Sequence, residues 1–343
     1  MANLGILTAG GDCPGLNAVI RAVTWRAASR HIPVIGFENG FAGLLHDKSR
    51  LLDPRVCDQS LARGGSILGC SGSNPYSDPD ATLAVSLMVE RHDLSTLIVV
   101  GGNTSMATAH AADLQGLPVV GVPKTIDNDV LGTEVTVGFA TAVETATEAI
   151  DRLHTTAESH ARVMIVETMG RDVGWLAATA GVAAGSTMVL VPEQPIRMEQ
   201  VIDTLARRRA RGHTYSIIVV GEGTLFAGES QPTGIPGAPG EPLRLGGVGD
   251  RLAARIQQAT DFSCRVSVLG HVLRGGPPCA RDRVLATRLG MRAADLAMDG
   301  IRGIMVAWNG GEVTHCPLAE AAAGLKAVSR ELLDILDALS HAE

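Results

Sequence analysis

The segment GVPKTIDNDVLGT, residues 121–133, sets Lys124, Thr125, Asp127, Asn128 and Asp129 directly behind an apolar run at 117–122. Two acids one residue apart, with a lysine and a hydroxyl beside them, can take a proton from an alcohol and steady a metal ion and a phosphate. The same residues also read as a solvated acidic turn with an asparagine cap. Three glycine turns behind apolar runs offer phosphate cradles: GILTAGGDCPGLNAVIR with Gly10, Gly11 and Asp12; LARGGSILGCSGSNP with Gly72 and Ser73; and LIVVGGNTSMATAHAA with Gly102, Asn103, Thr104 and Ser105. Glycine lets a backbone approach phosphate closely, and a following helix offers free N–H groups and the positive end of its dipole. Ordinary strand-to-helix packing accounts equally well for any one of them. No GxxxxGK[ST] occurs and no clear GxGxxG follows a strand, which argues against a Walker site and a standard dinucleotide enzyme. Further on stand Arg171 in ETMGRDVGW, Glu222 in VVGEGT, and Arg265, His271 and Arg274 in RVSVLGHVLRGGPP. Arginines near strand ends suit bidentate phosphate contacts. Taken singly, each arginine is a surface ion pair and His271 a structural histidine.

These residues need a scaffold that delivers them at strand ends. Short apolar runs at 3–8, 33–37, 96–100, 117–121, 163–167, 187–191, 215–220, 265–269 and 303–307 alternate with amphipathic stretches at 15–29, 79–92, 139–158, 197–210, 248–259 and 281–298. That rhythm predicts an α/β fold of two doubly wound lobes with mainly parallel sheets and an active-site cleft between them. The expected organisation is one lobe at 1–138, a second at 139–310, and a C-terminal helical segment at 311–343 packing back on the lobes. The Gly/Pro-rich stretch 226–247 reads as a long surface loop. With 343 residues, 45% apolar and 19% charged, the chain has ample material for buried cores. A net charge of −7 argues against a nucleic-acid or anionic-membrane surface. No apolar run is long enough to span a bilayer, and no signal peptide is visible. Six scattered cysteines without a CxxC pair suit reduced thiols in the cytoplasm.

Together GGDCPGLNAVIR, PKTIDND, EAIDRLHTTAESHARV, MGRDVGW and VLGHVLRGGPP resemble the phosphofructokinase family, in its order and spacing, from about residue 3 to residue 310. The donor side has an atypical cast, and the closest flavour is actinobacterial. The resemblance implies phosphoryl transfer to the 1-hydroxyl of fructose 6-phosphate, with Mg2+ and ATP or pyrophosphate. By the same resemblance Asp127 is the base, and Thr125, Asp129, Met169, Gly170, Arg171 and Glu222 hold the sugar. His271 and Arg274 bind its 6-phosphate, and Arg162 and Arg265 reach in from a neighbouring subunit, so a homodimer or homotetramer with shared sites is expected. Asp127 and Asp129, with Asn103, are the candidate metal ligands.

The departures gather at the donor. Where the family carries Asp or Glu to anchor magnesium, this chain has Asn103, whose amide oxygen is a possible ligand but brings no charge. Thr104 replaces the Gly of ATP users and the Asp of pyrophosphate users. Gly72 stands where an arginine usually meets the transferred phosphoryl group. Lys124 occurs with both donors. Gly11 and Ser105 remain, so the cradle reads as working but repurposed. The usual allosteric site is incomplete, with Arg21 present but His154 in place of a common arginine. Besides plain 6-phosphofructokinase, the sequence allows a divergent paralogue that phosphorylates or diphosphorylates a related ketose phosphate such as allulose 6-phosphate. It also allows a non-catalytic sugar-phosphate-binding regulatory subunit.

Overall fold

The computed structural model describes residues 2–237 and 243–341. Its strands are β1 (Asn3–Thr8), β2 (Val34–Phe37), β3 (Ser49–Leu51), β4 (Leu94–Gly101), β5 (Val119–Pro123), β6 (Val163–Thr168), β7 (Met188–Leu190), β8 (Ser216–Gly221), β9 (Gly234–Ile235), β10 (Arg244–Leu245), β11 (Cys264–Val268), β12 (Ile304–Asn309) and β13 (Glu312–Pro317). The chain forms two compact units, one of Met1–Thr141 with Arg274–Lys326, the other of Ala142–Leu273 with Ala327–Glu343. Each is an α/β lobe.

The first lobe holds a seven-stranded sheet in the order β13-β12-β5-β4-β1-β2-β3. Its five inner strands run parallel, and β3 and β13 close the edges antiparallel. From β1 the chain winds outward to β2, then returns to β4 on the other side of β1. The β1/β4 boundary is therefore the switch point, where open α/β sheets bind ligands beyond the strands' carboxyl ends. The helices Asn103–Leu114 and Ala280–Met298 pack on β4 and β5. The core gathers Leu7, Leu97, Val99, Val119 and Met305, all fully buried.

The second lobe carries a parallel sheet in the order β11-β6-β8-β7. Every residue of β6 and β8 is buried, as expected of strands with both faces covered. Helix Val248–Ala259 packs on β11 and β6, and helix Arg330–His341 on β7.

Three expectations from the sequence change here. The stretch 274–310, expected in the second lobe, lies in the first unit because β12 pairs with β5 through Ile304↔Val120 and Met305↔Gly121. The segment 311–343 is not helical throughout: it opens with β13, paired along its whole length with β12, before the helices Leu318–Ala321 and Arg330–His341. The stretch 226–247 contains the small β9–β10 hairpin, anchored by Glu229, whose carboxylate accepts from Arg251 and Arg255. Residues 238–242 of that stretch lie outside the described residues.

Buried acids hold two helix starts. Asp282 is fully buried and accepts from Gly138 N at 3.0 Å, Thr141 N at 2.8 Å and Thr141 Oγ1 at 2.5 Å, at the head of helix Phe139–His160. Burial pushes its carboxyl above the usual range, against the pull of the Thr141 and Gly138 donors. In the second lobe Glu167, 1% exposed, accepts from Gly247 N and Gly249 N at the start of helix Val248–Ala259.

Candidate active site

In the first lobe the three glycine turns of the sequence come to the carboxyl ends of β1 and β4. Gly10 adopts a φ of 77°, which glycine alone takes without strain, and its N–H donates to Ser71 O at 2.8 Å. Ala9 and Ser71 form a parallel bridge, so residues 71–73 are laid against the end of β1. Gly72 is exposed, and a Cβ added there meets nothing within 4 Å. Beyond β4, Gly102 caps helix Asn103–Leu114, whose first turn carries no acid and so leaves its positive end uncompensated. Thr104 is exposed there and Ser105 buried; Gly101 must be glycine because a Cβ would collide with the Ser105 side chain.

Lys124 joins the turns. It is 2% exposed, and its Nζ donates to Ala9 O at 2.9 Å and to Gly11 O. A Cβ on Gly10 would stand 3.3 Å from Ser105 Oγ and 3.8 Å from Lys124 Nζ, so backbone, hydroxyl and ammonium converge. A pocket of about 410 Å³ opens beside them, lined by Gly10, Gly11, Asp12, Ser66, Gly69 and Cys70. Burial pushes the Cys70 thiol above its ordinary value, against the pull of the Lys124 ammonium. This arrangement of donors suits an anionic phosphate chain.

The acid-bearing loop follows β5 and is not a solvated turn. Asn128 has a φ of 53°, is 2% exposed, donates to Glu134 O at 3.2 Å and accepts from Thr136 N at 3.1 Å. It fills the loop and caps no helix. Thr136 Oγ1 donates to Thr125 O at 2.7 Å, and Asp127 N donates to Thr125 Oγ1 at 3.1 Å. Asp127 Oδ1, Asp129 Oδ1 and Asn103 Oδ1 are all shielded from solvent. Asn103 Nδ2 donates to the Asp129 carbonyl at 3.0 Å, while its Oδ1 has no hydrogen-bond partner.

An unpartnered amide oxygen on a residue bonded to the Asp129 backbone is of a type magnesium accepts, since that ion takes a few carboxylate or amide oxygens and keeps water and phosphate as its other ligands. Among the described residues no three His, Cys, Asp or Glu side chains gather as a metal-binding group.

In the second lobe the register of β6 on β8 brings Met169, Gly170 and Arg171 beside Glu222. Glu222 N donates to Thr168 O at 2.9 Å, and Gly223 N to Gly170 O at 3.2 Å. Arg171 Nη1 donates to Leu243 O at 3.2 Å. His271 follows β11 in the short 3-10 helix Gly270–Arg274, at the same carboxyl edge, where Leu269 N donates to Glu167 O. Arg162 and Arg265 do not join this group. Arg162 precedes β6 and Arg265 faces Met164 in the register, so both stand near the amino ends of their strands. A six-residue strand places them roughly 20 Å from Arg171 and Glu222.

Arg274 is in the first lobe, its guanidinium against Gly11, which makes it a cation at the first glycine turn. The two residues of the incomplete allosteric site are engaged locally. Arg21 pairs with Asp58 at 2.9 Å and lies over the Trp25 ring, and His154 bonds Ala184 O at 2.8 Å and Tyr215 OH at 3.3 Å. A pocket of about 580 Å³ lies in the second lobe between β7 and helix Arg330–His341 and contains none of the expected site residues.

Sequence reasoning missed Lys326. Its N–H donates to Asp129 O at 2.8 Å and its Nζ to Thr133 O and Glu134 O, both at 2.9 Å. Burial brings its ammonium down to about 8, against the pull of the Asp129 and Glu134 carboxylates. No motif marks it, since its partners are backbone carbonyls.

Known proteins carry the same pattern. The chain is 47% identical over 331 residues to a pyrophosphate–fructose 6-phosphate 1-phosphotransferase of Amycolatopsis methanolica, covering 96% of each chain. It is 46% identical over 336 residues to an ATP-dependent 6-phosphofructokinase of Spirochaeta thermophila, covering 94% of this chain and 92% of that one. Among solved structures, Pichia pastoris phosphofructokinase in the T-state superposes with a TM-score of 0.84 at 26% identity, over 99% of this chain and 39% of that larger one. A pyrophosphate-dependent phosphofructokinase of Nitrosospira multiformis shares the fold, with a TM-score of 0.83 at 20% identity over 96% of this chain and 86% of that one. The phosphofructokinase family model matches residues 3–297, and the chain belongs to that family.

Proposed function

We propose that this protein transfers a phosphoryl group to the 1-hydroxyl of fructose 6-phosphate, with ATP or pyrophosphate as donor and Mg2+ as cofactor. The observation that carries the reading is the loop at 124–137. It is built around a buried Asn128 and sets Asp127 and Asp129 beside the donor-side Asn103. Such a loop holds its acids in fixed positions, which proton transfer in the transition state requires.

Asp127 takes the proton of the 1-hydroxyl as that oxygen attacks the terminal phosphorus of the donor. The bond to the bridging oxygen breaks, and ADP or phosphate leaves. Thr125, Asp129, Met169, Gly170, Arg171 and Glu222 hold the sugar, and His271 and Arg274 take its 6-phosphate. Gly11, Gly72, Ser73, Gly102, Thr104 and Ser105 line the donor phosphates, with Lys124 bracing the cradle from beneath. Asn103, Asp127 and Asp129 would hold magnesium, which neutralises charge on the phosphate oxygens. Arg162 and Arg265 stand apart from this chain's own sugar ligands, so we assign them to a neighbour's site in a homodimer or homotetramer. With six free cysteines, and no described helix long and apolar enough to cross a membrane, we place the protein in the cytoplasm.

One further observation favours a second reading. By the family resemblance, Gly72, Asn103 and Thr104 depart from the usual residues while the sugar ligands do not, and all three adjoin the β1/β4 switch point. Altered donor geometry at that point would suit diphosphoryl transfer from ATP, or a related acceptor such as allulose 6-phosphate. Incubation of fructose 6-phosphate and its epimers with ATP or pyrophosphate, followed by phosphorus NMR, tests both. A new phosphomonoester at carbon 1 supports the first reading and a new diphosphoester the second. Absence of turnover with every pair of substrates rejects both and leaves a non-catalytic sugar-phosphate binder.

A further inference from the structure

Lys326 stands far in sequence from every motif of the site, yet it grips the loop that carries the acids. Leu325 pairs with Val130 in an antiparallel bridge, which lays residues 325–326 along the loop. Lys326 N donates to Asp129 O at 2.8 Å, and its Nζ donates to Thr133 O and Glu134 O at 2.9 Å each. The Glu134 carbonyl also accepts from Asn128 Nδ2 at 3.2 Å, and the Asp129 carbonyl from Asn103 Nδ2 at 3.0 Å. The loop is thus tied from within by Asn128, from the donor helix by Asn103, and from the C-terminal stretch by Lys326.

We propose that Lys326 is a positioning residue for Asp127 and Asp129, fixing through three backbone carbonyls the loop on which both carboxylates stand. Three carbonyls turned toward one residue need a donor each, and buried carbonyls left unpaired shift to find other partners. Loss of the ammonium frees residues 133 and 134, four to seven positions from the acids, while the backbone bond at Asp129 remains. Of the proposed sugar ligands, Thr125 and Asp129 stand on or beside this loop, while Met169, Gly170, Arg171 and Glu222 belong to the second unit. This assignment rests on the phosphotransferase reading above.

The test compares the full-length wild type with Lys326→Met, which keeps the stem and removes the donors, and Lys326→Arg, which keeps a cationic donor. Steady-state kinetics use fructose 6-phosphate with whichever of ATP or pyrophosphate the NMR assay shows to be consumed. Lys326→Met is expected to lose on the order of 10- to 100-fold in kcat, as loosened positioning does. KM for fructose 6-phosphate should change less than kcat, within about threefold, because most of the proposed sugar ligands lie outside the loop and the backbone bond at Asp129 remains. Lys326→Arg should recover most of the loss. Amide hydrogen exchange should rise in Lys326→Met within residues 127–134 and not across the first lobe. A native kcat in Lys326→Met, or an equal loss in Lys326→Arg, overturns the proposal, as does exchange that rises evenly through the lobe. If Lys326→Met does not fold, Lys326→Leu, which also lacks a side-chain donor, replaces it with the same expectations. If the wild type turns over no donor, the phosphotransferase reading fails, and the exchange pattern alone decides whether Lys326 holds the loop.

Discussion

Restoring the donor side one residue at a time should separate charge from space. Gly72→Arg is the most informative change. The position has an ordinary backbone, is exposed, and leaves open space where a side chain would start, so the arginine enters without strain. A preorganised donor aimed at transition-state charge is worth about 2.7–4 kcal/mol, or 10²–10³ in rate. An exposed arginine is less well held, so the expected gain in ATP-dependent kcat is nearer about 10-fold. Asn103→Asp works differently. It restores a charged magnesium ligand but removes the Nδ2 donor to Asp129 O, a bond worth about 0.5–1.5 kcal/mol, and turns a carboxylate oxygen toward that carbonyl. Without magnesium Asn103→Asp should therefore melt a few degrees lower than wild type, by roughly 2–4 °C per kcal/mol. Millimolar magnesium should recover the difference, because a ligand that binds only the folded state stabilises it. Thr104→Gly, at an exposed position near a helix start, should cost little and clear the way for an α-phosphate. The assays are ATP-dependent phosphorylation of fructose 6-phosphate and thermal melts with and without magnesium. If wild type already turns over ATP as fast as the triple variant, the donor changes are neutral. If Asn103→Asp melts identically in both buffers, Asn103 is no metal ligand.

Three further outcomes follow from the geometry. Asp127→Asn should fold and bind fructose 6-phosphate as wild type does while losing on the order of 10²–10⁴ in rate, and near-native turnover would remove Asp127 from the base role. Mixing Asp127→Asn with Arg265→Ala chains should restore activity at sites that receive both intact halves, whereas full activity in a verified monomer would sink the shared-site assignment. Asp282→Ala leaves the Gly138 N–H, the Thr141 N–H and the Thr141 hydroxyl without their buried acceptor, so the melting point should fall by several degrees, with a cost of at least about 3 kcal/mol; an unchanged melt would mean that water replaces the carboxylate.

What the sequence made legible, and what it hid, divides on whether an interaction is local. All nine apolar runs are strands, because buried parallel strands need unbroken β-branched and apolar stretches, as VMIVET and SIIVVG show. The strand β13 was missed because EVTHCP sits at a sheet edge with half of its residues exposed and only one buried, so burial imposed no apolar run. The return of 274–326 to the first lobe was also hidden. The pairing of Ile304 with Val120 spans most of the chain, and no local pattern says which sheet a strand joins. The site behaves alike. Lys124, Asp127 and Asp129 were legible as a cluster because one strand end delivers them together, while Lys326 was not, since it binds the carbonyls of residues 133 and 134 from 193 and 192 positions away. Asn103 is the sharpest case. By sequence it is a metal ligand that has lost its charge, a subtraction. In the folded lobe its amide does what no carboxylate could, donating to Asp129 O while turning its oxygen, unbonded, into the same buried space. The change therefore exchanges charge at the donor for a tie between the donor helix and the acid loop. On the proposed function, an exchange of that kind alters how tightly magnesium and the donor must be held from outside, and leaves the proposed base and sugar ligands as they were.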